Sequence, residues 1–114
     1  METGDWILNI ESLKMNFFNK YPEFITEGTT GVKGNRLEYR YKAIIENQKN
    51  YFKNSKVLDL ASHDGRWSLA SLDVGAKEVV GIEGRAKLAK KSSLILKKYG
   101  FEKQFKVFVD DLNN

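Results

Sequence analysis

Apolar residues recur at two different intervals along this chain, and the interval changes near residue 54. Before that point Trp6, Ile10, Leu13 and Phe17 lie three or four apart, the interval of one helix face, with Asp5 where a cap belongs. The spacing predicts a helix over 5–19, with Pro22 closing the segment. Leu37, Tyr41, Ile44, Ile45 and Phe52 predict a second helix over about 36–50, opened by Asn35 and Glu38 in a capping-box arrangement. Between the two, residues 26–35 read TEGTTGVKGN, with three glycines and no apolar period. That is a loop, and its glycines suit a lid that closes over a ligand.

After residue 54 short apolar runs alternate with helical ones. KVLDLA predicts a strand over 56–61, EVVGIEG a strand over 78–83 and QFKVFVDDL a strand over 104–109. GRWSLASLDVG between the first two reads as a helix ending near Gly75. RAKLAKKSSLILKKYG reads as a helix with Leu88, Ile95, Leu96 and Tyr99 inward, stopped by Gly100. Strand, helix, strand, helix, strand at this spacing predicts an α/β fold. It is a Rossmann-like, three-layer half-fold with a parallel sheet in the order 3-2-1, preceded by N-terminal helices. The expected division is a helical lead-in with its Gly-rich loop over 1–34 and a ligand-binding domain over 35–114.

Composition narrows the chemistry. The 114 residues include no cysteine and one histidine, His63, so neither a disulfide framework nor a Cys/His zinc site is the main chemistry. No apolar run approaches the roughly 20 residues of a membrane helix, and the N-terminus lacks a signal-peptide pattern. A cytoplasmic location without membrane contact is expected. The net charge of +4 favours anionic partners only weakly. Lys87, Lys90, Lys91, Lys97 and Lys98 read as the solvated face of one helix, with a nucleic-acid patch as the sharper alternative.

In a parallel α/β sheet, ligands sit beyond the carboxyl ends of the strands. Three polar clusters fall there: Asp59 to Gly65 after strand one, Glu83 after strand two, and Asp110 with Asp111 after strand three. The first turn needs residues that tolerate a left-handed backbone; Gly65 does, Ala61 is small, and His63 is better suited than most. Asp59 also fits a purely structural role as a cap or turn anchor. Glu83 can accept two hydrogen bonds from a ribose diol. Asp111 can accept from an exocyclic adenine amine, and the Leu112 N–H can meet a ring nitrogen. This set suits an adenosine without a phosphate chain. The Gly-x-Gly-x-x-Gly fingerprint of a dinucleotide site is absent. Trp67 reads as core, and Arg36 or Arg40 as either a solvated helix face or a partner for a ligand carboxylate.

The stretch VLDLASHDGRWSLASLDVGAKEVVGIEGR resembles the cofactor-binding half of class I S-adenosylmethionine-dependent methyltransferases. The family's first motif is an acidic residue followed by glycines at alternate positions. Asp59 matches the acid; Ala61, His63 and Gly65 fall on the glycine positions, and only Gly65 keeps glycine. The resemblance covers roughly residues 35–114. It implies that Asp59 and the backbone from Ala61 through Ser62 and His63 to Gly65 flank the methionine part of the cofactor. It further implies that Glu83 takes the ribose hydroxyls, Asp111 takes the adenine amino group, and Ile82 and Leu112 sandwich the ring. The implied activity is methyl transfer from S-adenosylmethionine to an acceptor that the sequence does not name. A non-catalytic binding module is the alternative, and an adenine-dinucleotide oxidoreductase domain the third reading.

The family's sheet has seven strands, in the order 3-2-1-4-5-7-6, and this chain carries the first three. By the resemblance, the catalytic and acceptor-selecting residues follow strand four, so no catalytic residue is assigned. Strand one would then lie at an edge, although Val57, Leu58 and Leu60 read as a central strand buried on both faces. Lys56 is its only positively charged guard. Self-association, or pairing with a second half-domain, is therefore expected, with an N-terminal helix covering the edge as the alternative.

Overall fold

A computed structural model describes residues 17–25 and 35–111. Leu112, and the 26–34 part of the loop expected to act as a lid, lie outside the described residues, as does most of the helix expected over 5–19. The chain divides into two compact units, Met1–Glu38 and Tyr39–Asn114.

In the first unit α1 (Phe17–Lys20) leads into a 3-10 turn over Pro22–Phe24, with Pro22 at the position where a missing N–H costs least. Phe17 is the hub of an aromatic cluster. Its ring lies 5.1 Å from that of Phe18, edge to face, 4.9 Å from Tyr21 and 5.8 Å from Phe24. All four side chains are buried, and such pairs add to the stabilisation from area alone.

α2 (Asn35–Ile44) begins in the first unit and runs into the second. The single helix expected over 36–50 breaks here. A 3-10 turn over Glu46–Gln48 follows, then the short α3 (Lys49–Phe52). The Gln48 side chain donates to the Ala43 carbonyl at 3.1 Å, a group that a continued helix would have bonded to a backbone N–H.

The remainder is β1 (Lys56–Leu60), α4 (Arg66–Asp73), β2 (Glu78–Glu83), α5 (Ala86–Lys98) and β3 (Phe105–Val109). The strands are parallel, in the order β1-β2-β3, as expected. Strand one stops at Leu60 rather than Ala61, because Ala61 has φ 56° and leaves the extended region. Gly100, at φ 88°, ends α5 as expected. The pairing register sets Val57 beside Val79 and Val79 beside Phe105, one residue row across the sheet. Val79 and Phe105 are buried, as are Leu69 and Leu72 of α4 and Ala89, Ile95 and Leu96 of α5. Each fully buried side chain of this size contributes roughly 1.5–3 kcal/mol.

The opposite face differs from the expectation. Leu58, Leu60 and Phe108 are 60%, 55% and 57% exposed, and Lys106 lies in the same row as Leu58. Among the described residues, strand one is thus covered on the Val57 and Asp59 side only. The reason is connectivity: two successive right-handed crossovers running in one direction along the sheet place both helices on the same face. Among the described residues the layer on the other face is not filled.

Candidate functional site

The site is assembled where β1 and β2 end. After Leu60 the backbone takes left-handed conformations at alternate residues: Ala61 at φ 56°, His63 at φ 56° and Gly65 at φ 87°. These are the three positions that the sequence singled out. The turn is tied to β2 at three points. Ser62 N–H donates to the Ile82 carbonyl at 2.9 Å, and His63 N–H donates to Glu83 Oε1 at 2.7 Å. At the third point Gly81 lies so close to Ser62 that a Cβ there would stand 2.8 Å from its Oγ. Ser62 is 1% exposed, and its hydroxyl has no partner among the described residues. Any contact from Ser62 to a ligand is therefore through its backbone.

Gly65 opens α4 and packs under α5. A Cβ at Gly65 would meet Ser92 Cβ at 2.8 Å and Leu96 Cδ1 at 2.9 Å. At Ala61 the side chain is exposed, and the left-handed backbone costs roughly 1–2 kcal/mol for a residue with a Cβ. Ala61→Gly removes that cost but adds about 0.4–1 kcal/mol of unfolded-chain entropy. The expected result is a net gain of about 0.5 kcal/mol in chemical denaturation. A loss of 1 kcal/mol or more would show that the turn does not hold this backbone.

Two buried groups missed by the sequence reading brace the turn from inside. Asp64 and Arg66 form a bidentate pair, Arg66 Nε to Asp64 Oδ1 at 2.9 Å and the terminal nitrogen to Oδ2 at 2.8 Å. Both are almost fully buried. His63 Nδ1 lies 3.5 Å from the same guanidinium, so the imidazole rests on this pair rather than standing free. The acid–base spacing of two residues was visible in the sequence, but such spacing occurs in many solvated turns.

Asp59 accepts from the Ser68 hydroxyl at 2.6 Å and so joins the end of β1 to α4. Burial pushes its carboxyl up from the ordinary range, and the nearby Asp64 and Glu83 charges add to this against the Ser68 hydrogen bonds. Glu83 goes the other way. Burial pushes its carboxyl up, but hydrogen bonds from the Arg85 side chain, Arg85 N–H and His63 N–H, together with the Arg85 charge, hold it below its ordinary value.

A cleft of about 290 Å³ opens at these strand ends, lined by Ala61, Ile82, Glu83, Gly84, Arg85, Asp110 and Asp111. It brings together Ala61, Ile82, Glu83 and Asp111 from the expected set and adds Arg85. Asp59, Ser62, His63 and Gly65 do not line it; they belong to the turn and its supports. Gly84 lies close to the Asp110 carbonyl, 3.4 Å from where a Cβ would stand. Arg36 and Arg40 are exposed on α2, and Trp67 is half-buried in α4. No group of three or more His, Cys, Asp or Glu side chains placed to hold a metal occurs among the described residues.

No family model matches the chain, and no curated protein matches it. Solved structures do. The candidate RNA methyltransferase PH1948 of Pyrococcus horikoshii superposes with a TM-score of 0.58 at 24% identity, over 64% of this chain and 37% of that one. Protein arginine methyltransferase 10 of Arabidopsis thaliana gives 0.59 at 24% identity, over 65% and 21%. The Trypanosoma brucei PRMT1 enzyme–prozyme complex with AdoHcy gives 0.53 at 22% identity, over 70% and 26%. The match thus spans about a fifth to somewhat over a third of the length of these structures. The parallel β1-β2-β3 sheet with its crossover helices has the half-fold of the class I S-adenosylmethionine-dependent methyltransferases.

Proposed function

We propose that the strand-end cleft binds S-adenosylmethionine and its product S-adenosylhomocysteine, and that the chain serves as the cofactor-binding part of a methyltransferase. The observation that carries this reading is the turn 61–65. Three alternate left-handed residues, two of them not glycine, are held against a buried Glu83 that accepts a hydrogen bond from the middle one. In this reading Asp59 and the turn backbone flank the methionine part, and Glu83 takes the ribose hydroxyls. Asp111 takes the adenine amine, with Ile82 and Leu112 on either side of the ring. Asp64 and Glu83 are each paired with an arginine, so Asp59, which has no cationic partner among the described residues, is the carboxylate that suits a ligand carrying an ammonium and a sulfonium. Thermal melting with S-adenosylmethionine, S-adenosylhomocysteine and NAD tests it. A ligand at a hundredfold excess over its Kd stabilises by about 2.7 kcal/mol, which is about 10 °C for a domain of this size. Both sulfur ligands are expected to raise the midpoint and NAD to leave it. An equal rise with NAD would favour the dinucleotide reading, and no rise with any would remove the cofactor assignment.

We further propose that the purified chain self-associates through the free edge of β1. That edge has no neighbour among the described residues, and Leu58 and Leu60 beside it are exposed. An unpaired apolar edge is a template for another strand, and in a purified sample the only strand on offer is a second copy. Sedimentation at micromolar concentration is expected to give a species larger than 13.1 kDa, shifted toward monomer by Leu58→Lys. A monomer for the unmodified chain would refute the pairing.

A further inference from the structure

The hydrogen bonds around Glu83 are too many for a free diol site. A carboxylate offers about four lone-pair positions. Three are filled: Oε1 accepts the His63 N–H at 2.7 Å, and Oε2 accepts the Arg85 N–H at 3.0 Å and the Arg85 Nε–H at 2.8 Å. The carboxylate side chain is only 3% exposed, so few directions of approach remain. A ribose with both hydroxyls free needs two acceptor positions, and one is open.

One of the three donors has to leave, and they differ in what holds them. The His63 N–H is fixed by the left-handed turn, itself pinned by the Ser62-to-Ile82 and Gly65-to-Ser62 backbone bonds. The Arg85 N–H is part of the main chain where β2 runs into α5. The Arg85 guanidinium alone hangs on a flexible stem, and it is 63% exposed. Of the three donors it alone can swing into solvent without moving the main chain.

We propose that the Arg85 guanidinium is an internal occupant of the ribose position, displaced when a vicinal diol docks on Glu83. Arg85 is thereby a specificity-determining residue. It imposes the same competition on every ligand that uses Oε2, and only a ligand presenting both hydroxyls recovers the lost bond in full. A ligand with a blocked or absent hydroxyl leaves Arg85 in place and gains nothing from its removal. The inference rests on the cofactor reading above, and its test separates the two.

Calorimetry at pH 8, well above the ordinary carboxylate range, compares the unmodified chain with Arg85→Met. The two ligands are S-adenosylhomocysteine and its 2′,3′-dideoxy analogue. Arg85→Met is expected to bind S-adenosylhomocysteine roughly threefold more tightly, as fits removal of a competitor as weak as a solvated ion pair, and to bind the dideoxy analogue unchanged. Weaker S-adenosylhomocysteine binding by the variant would overturn the displacement, because Arg85 would then be a ligand contact. An equal gain for both ligands would overturn the diol dependence. Failure of the unmodified chain to bind S-adenosylhomocysteine would overturn the cofactor reading and this inference with it. A second measurement needs no variant. The Arg85 Nε–H proton resonance of the unmodified chain is expected to move upfield, away from its carboxylate-bonded position, with S-adenosylhomocysteine and to stay with the dideoxy analogue. A resonance that stays with both overturns the proposal.

Discussion

Replacing Glu83 by alanine is expected to weaken S-adenosylhomocysteine binding tenfold or more. A hydrogen bond to a charged acceptor is worth about 1.5–3 kcal/mol, and the proposed ribose contact makes two. The substitution also orphans the His63 N–H, whose acceptor is Glu83 Oε1, and so loosens the turn on which the methionine part would rest. Glu83→Gln separates the two effects. It keeps one acceptor oxygen for His63 but turns an amide NH2 toward the diol and toward the Arg85 N–H that Oε2 accepts, so affinity should still fall several-fold while the melting midpoint falls less than with Glu83→Ala. Calorimetry showing unchanged affinity for Glu83→Gln, with the fold intact, would remove Glu83 from the ribose.

Gly65→Ala is expected to cost about 3 kcal/mol of stability or more. Two independent costs meet at this residue. Its φ of 87° lies in the region that an L side chain enters at roughly 1–2 kcal/mol. Its missing Cβ would overlap Ser92 Cβ and Leu96 Cδ1, both under 3 Å away, and overpacking of a tight core adds about 1–3 kcal/mol. Ser92 belongs to the helix near its backbone and cannot rotate aside, whereas Leu96 can partly adjust. Against a typical total of 5–15 kcal/mol, much of the native population would be lost. Urea denaturation measures this, and a loss below 1 kcal/mol would mean that α5 moves freely away from the turn.

Much of the fold could be read from the sequence, for a definite reason. Short apolar runs bounded by Gly and polar turns place β1, β2 and β3 within a residue or two, and two helical stretches between them fix parallel order. The turn was legible as well: Ala61, His63 and Gly65 stand at alternate positions after an acid, and all three take the left-handed backbone that this placement required. What the sequence did not reveal depends on neighbours. KVLDL has the same apolar residues whether one face or both are covered, so the exposure of Leu58 and Leu60 had no signature. The break after Ile44 turns on one Gln48 side chain reaching a carbonyl. The roles of Arg85 and of the Asp64–Arg66 pair come from where the turn aims them, which no spacing in the sequence states.

The ties between the turn and β2 also order events in time. Ser62 bonds Ile82, His63 bonds Glu83, and Ser62 sits beneath Gly81, each some twenty residues away along the chain. None of these contacts exists until the α4 crossover has closed and β2 lies beside β1. The binding turn is therefore a late product of folding, completed after the loop-closure entropy of the first βαβ unit has been spent. A ligand that needs the finished turn meets nothing to hold in the folding transition state. It should leave the refolding rate almost untouched and act on the unfolding limb alone, lengthening the lifetime of the native state.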